Sequence, residues 1–169
     1  MKLILRALGA ALVIAASHVA PTFAQDQAPA ASETSAEEAG LETGTLSIDT
    51  GEEVREFTIE IADSPDEIST GLMHRESLGE DAGMLFDFAN PREPAMYMKN
   101  TLIPLDMLFI SSDGTIVMIA RNTVPGSLRT ISPGMPVKGV LEINGGRADA
   151  LGIKPGDTVN HEIFGTDAG

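Results

Sequence analysis

The sequence predicts a β-rich α+β fold: a small antiparallel barrel or sandwich of about seven or eight short strands with two short helices. Three observations predict it. Short segments of alternating polarity recur along the chain. Most of the links between them are hairpin-length and carry Gly, Asn or Asp. Helix-start chemistry is clear at one place and weaker at a second.

The first strand is expected over residues 45–50, with Leu46 and Ile48 inward, and the second over 54–62, with Phe57, Ile59 and Ile61 on one face and Thr58 and Glu60 on the other. Gly51-Glu52 would join them as a hairpin. A helix follows at once. Ser64 is placed to cap it, Pro65 fits its first position, and Glu67 can return a bond to the Ser64 amide. Its inner face would carry Ile68 and Leu72, and it should fray near residues 71–75. Residues 84–88 read as a strand with Met84, Phe86 and Phe88 inward, and 95–101 as another with Met96 and Met98 sharing a face. Pro104, which has no amide to donate, ends that ladder. Strands over 105–110 and 115–120 flank Asp113-Gly114, the strongest hairpin signal in the chain. The strand over 137–143 leads through Asn144-Gly145-Gly146 into a short helix at 147–151, with Gly152 suited to a left-handed cap. A tight turn through Pro155-Gly156-Asp157 then opens the final strand, 158–164.

The first 24 residues have the marks of a secretory signal. Lys2 and Arg6 precede an apolar stretch from 7 to 19, and Thr22-Phe23-Ala24 ends it with small residues at the two cleavage-reading positions. The apolar run is short for a membrane span, so a periplasmic or secreted chain without stable membrane insertion after cleavage is expected. Residues 25–44 carry five acids, no base and one large apolar residue, Leu41, and read as a disordered acidic spacer. The globular domain is expected over 45–169.

The chain has 11 basic and 25 acidic residues, a formal net charge of −14. Loss of Lys2 and Arg6 with the signal, and of no acid, would take this to −16. Nucleic acid is disfavoured as a partner, because its phosphates need Lys and Arg to neutralise them. There is no cysteine, so disulfides, thiol catalysis and thiolate metal sites are excluded. Phosphate-binding glycine loops, the Gly-x-Ser-x-Gly nucleophile elbow and the His-x-x-x-His zinc spacing are also absent. His74, just after the first helix, and His161, expected at a strand edge or surface, are the histidines left beyond the signal.

Three strings stand out: GLMHRESLGEDAGMLFDF at 71–88, MKNTLIPLD at 98–106, and VLEINGG with LGIKPGDTV toward the C-terminus. In this order they resemble the bacterial and archaeal family known as domain of unknown function 192, over roughly residues 57 to 159. Members often carry an export signal. The resemblance implies a compact β-rich fold and carries no biochemical activity.

The densest polar cluster is Lys99-Asn100-Thr101 running into Pro104-Leu105-Asp106, inside an otherwise apolar stretch. With Arg75 and Glu142 from the other strings, the candidate ligand-binding set is Arg75, Lys99, Asn100, Asp106 and Glu142. A carboxylate and two cations around one pocket would suit a small zwitterionic or anionic ligand. The leading expectation is a non-catalytic exported domain that binds a small molecule or an envelope protein, with no cofactor and no metal. Two alternatives stand beside it. One is an acid–base enzyme using Asp106 or Glu142. The other is a copper-handling protein using the soft thioethers of Met96 and Met98.

Overall fold

Strong alternation at the N-terminal end of the domain produces an antiparallel hairpin, β1 (Glu42–Asp49) with β2 (Val54–Ala62), in which Leu46 faces Phe57. The computed structural model describes residues 40–166. The expected signal and most of the acidic spacer lie outside that range, but residues 42–44, assigned above to the spacer, begin β1.

The next unit differs from the expected all-antiparallel order. β2 pairs in parallel with β3 (Ala82–Arg92). A parallel pair needs a crossover, and residues 63–81 supply it with helix α1 (Pro65–Thr70). The predicted capping box is present: the Glu67 amide donates to Ser64 Oγ at 3.3 Å, and the Ser64 amide to Glu67 Oε2 at 3.0 Å. Ser64→Ala is therefore expected to cost about 1 kcal/mol in urea unfolding; an unchanged midpoint would contradict this role.

β4 (Leu105–Ile110) and β5 (Ile116–Ala120) form the expected Asp-Gly hairpin. β6 (Val137–Asn144) inserts between β4 and β3, α2 (Arg147–Ala150) follows, and β7 (Thr158–Asn160) adds to β1. The sheet order is β5-β4-β6-β3-β2-β1-β7. Its two edges meet where the Ile116 amide donates to the Asp157 carbonyl at 2.9 Å and the Val159 amide to the Gly114 carbonyl at 2.8 Å. The seven strands thus form a nearly closed barrel-like sheet, in agreement with the expected class.

Period-2 alternation divides the buried side chains into two sets. Leu46, Phe57, Ile59, Leu85, Leu108, Leu141, Ile143 and Val159 fill the barrel interior. Met84, Phe86, Met107, Phe109 and Val140 form a second core on the outer face of β3, β6 and β4, against Leu72, Ile68 and Met98.

Two expected strands are corrected. Residues 95–101 form no strand, only an isolated bridge between Met96 and Ile131. Pro94 and Pro104 bracket the segment, and Asn100 turns it with a positive φ of 56°. The final strand stops at Asn160, where His161 accepts from the Ile163 amide and starts a 3-10 turn, Glu162–Phe164. His161 is buried, not a surface residue.

Candidate ligand-binding cleft

On adjacent strands, directly paired residues point to the same face of the sheet. Glu60 pairs with Met84, Met84 with Glu142, and Glu142 with Met107, so these four form one row on the outer face. Asp106 pairs instead with Ile143 and points the opposite way, toward the barrel interior. The expected five-residue cluster is therefore split by the sheet itself.

Asp106 is fully buried, and backbone amides occupy its carboxylate. Oδ1 accepts from Asn122 at 2.6 Å and Gly146 at 3.0 Å, and Oδ2 from Ala148 at 2.9 Å. Helix α2 has no cap from its own N-cap residue, Gly146, and Asp106 caps it from across the fold. Beside it Gly145 packs so tightly on Pro104 that a Cβ would lie 2.9 Å from that ring. The second half of the MKNTLIPLD string thus ties β4, the residue 122 turn and α2 together.

Arg75 binds Glu60 with both ends of its guanidinium, at 3.2 and 2.6 Å, and this pair sits in the outer-face row, two strands from Glu142. Lys99 is exposed. Asn100 is exposed too; its carbonyl accepts from the His74 amide at 2.9 Å and its side-chain amide lies 3.8 Å from Met73 Sδ.

Glu142 alone of the five lines a cleft, of about 320 Å³, between α1 with the turn after it and residues 92–97. Phe86 and Thr101 join Glu142 in lining it, with Leu72, Met73, Met96 and Tyr97. Glu142 is only 5 % exposed and accepts no hydrogen bond from any described residue. Burial alone pushes its carboxyl up from 4.5 to about 8, because the charged form loses its hydration. Thr101 is also buried; its hydroxyl donates to the Lys99 carbonyl, at 3.4 Å. Gly71 closes one wall: at its φ of 47° a Cβ would come within 3.0 Å of the Phe86 ring.

The sequence offered Glu142 as a candidate from the VLEINGG string of the family resemblance and named Thr101 only as part of the Lys99-Asn100-Thr101 cluster; it did not mark Met73 as lining the same cleft. Of the two methionines considered for copper, Met96 lines the cleft, while Met98 is buried in the second core with its sulfur accepting from the Thr123 hydroxyl at 3.1 Å.

The model of the family DUF192, described as Uncharacterized ACR, matches residues 46–161. A crystal structure from Sinorhizobium meliloti 1021, of a protein given the provisional assignment of transcription regulator, is similar at 42 % identity and a TM-score of 0.71, covering 73 % of this chain and 96 % of that one. A protein of unknown function from Novosphingobium aromaticivorans DSM 12444 is similar at 38 % identity and a TM-score of 0.71, covering 73 % of this chain and 88 % of that one. No curated protein matches the chain.

Proposed function

We propose, from the premise that this chain belongs to the DUF192 family, that it is a non-catalytic exported domain that binds a small molecule in the cleft floored by Glu142. The observation that carries this reading is a buried carboxyl with no partner among the described residues, facing a cleft of ligand size with mixed polar and apolar walls. A side chain placed this way costs stability, and a fold that only needed packing would have an apolar residue there. Export, to the periplasm or beyond, rests on the signal-like N-terminus. A regulator's DNA contact is not carried over from the similar structure, because a net charge of −14 repels phosphates.

The test is a thermal-shift panel of alkylamines, alkanols, fatty acids and aromatic acids, with each hit located by methionine-methyl NMR. The reading predicts a hit that moves the Met73 and Met96 resonances. A panel without hits, or hits that leave both methyls unmoved, would contradict it.

One observation favours a second reading. A carboxyl titrating near neutrality is also what a general acid–base needs, so if the domain has a reaction, Glu142 is its proton-transfer group. Asp106 is unsuited to that work, since removing a substrate proton would compete with three backbone hydrogen bonds.

A further inference from the structure

Four carboxyl side chains are buried among the described residues: Glu60, Asp106, Glu142 and Asp157. Three have donors. Glu60 has the Arg75 guanidinium, Asp106 has three backbone amides, and Asp157 has the Lys154 amide at 2.8 Å and its ammonium at 3.2 Å. Only Glu142 has none, and it is the one that faces a cleft. Thr101, the other buried polar residue lining that cleft, spends its hydroxyl proton on the Lys99 carbonyl and keeps lone pairs to accept with. The buried side-chain polar groups of the cleft therefore want a donor, while Phe86, Leu72, Met73 and Met96 want an apolar body.

We infer, resting on the cleft reading above, that the ligand is an apolar molecule ending in a protonated amine, with its ammonium donating to the carboxylate of Glu142 and to the Thr101 hydroxyl. An ammonium supplies donors and the opposite charge at once, which an alcohol or a carbonyl does not. The chain's net negative charge raises the local concentration of cations and disfavours anionic ligands.

In the empty cleft Glu142 is mostly neutral at pH 7. Binding of R–NH3+ leaves the amine protonated and drives the carboxyl proton into solvent, so one positive charge enters as one leaves. The other charged groups near this carboxyl are Glu60 with Arg75 across the row, and Arg92 and Glu93 at the cleft, which the Tyr97 hydroxyl group also lines. Lys138, four residues along β6, is held by Asp87.

The experiment is calorimetric titration of the purified chain with n-hexylammonium and with n-hexanol, in buffers of differing ionisation enthalpy. Hexylammonium is expected to release close to one proton per molecule bound at pH 7, and its affinity to rise roughly five- to tenfold per unit between about pH 6 and pH 8. Glu142→Gln, which keeps shape and neutrality, should weaken hexylammonium at least about tenfold and abolish the proton release. Preference for hexanol, or amine binding without proton release, would overturn the amine inference and leave the cleft reading standing. Binding of neither would overturn both. Equal binding of the amine by the Glu142→Gln variant would place it elsewhere and also overturn the inference.

Discussion

Asp106→Ala is expected to lower the unfolding free energy by about 4 kcal/mol, measured by urea denaturation. Three backbone amides, the buried one of Ala148 and the partly buried ones of Asn122 and Gly146, lose their acceptor together. Each orphaned buried donor costs about 1–3 kcal/mol, less whatever water recovers after the side chain is removed. The cost includes fraying of α2, whose N-terminus has no side-chain cap of its own. Asp106→Asn should lose roughly half as much, because one oxygen remains to accept while the new NH2 opposes an amide. A loss below about 1 kcal/mol for the alanine variant would mean that Asp106 is not a structural tie, and would restore it as a candidate site residue.

Glu142→Gln is expected to do the opposite and stabilise the protein, in a pH-dependent way. The folded-state carboxyl titrates at about 8 against 4.5 when solvated. The folded state therefore holds a proton that the unfolded chain has already released, so folding stability falls as pH rises between those values. Each pH unit inside the window is worth about 1.4 kcal/mol. Glutamine has no proton to lose, so the gap between variant and wild type should be near zero at about pH 4.5 and reach on the order of 4 kcal/mol by about pH 8. This is a sizeable share of the roughly 5–15 kcal/mol that holds an ordinary domain together. A gap that stays flat with pH would show that Glu142 is solvated or paired.

These two residues also show what the sequence could and could not convey. Local chemistry was legible: the Ser64–Glu67 capping box, the Asp113-Gly114 hairpin and the alternation of residues 54–62 each need only neighbours within a few positions. The parallel pairing of β2 with β3 was not, because it depends on how a crossover folds back. Residues 95–101 alternate like a strand, yet Pro94 and the positive φ of Asn100 overrule the pattern. The candidate cluster failed for a related reason. Asp106 and Glu142 are both carboxylates in apolar strings, but β4 pairs with β6 so that Met107, not Asp106, faces Glu142. A one-residue difference in register puts them on opposite sides of the sheet. A single sequence does not contain that register. It does contain Glu142 within the VLEINGG string of the family resemblance, and that residue is the one of the candidate set that lines the cleft.

Glu142 is a buried carboxyl without a partner among the described residues, and the proposed ligand site depends on it. The most direct test is a 13C NMR titration of the glutamate side-chain carboxyls, with the Glu142 resonance assigned by its absence from Glu142→Gln. One carboxyl is expected to have a midpoint near 8 and to be missing in the variant. A Glu142 midpoint below about 5, in the range of a solvated glutamate, would contradict it.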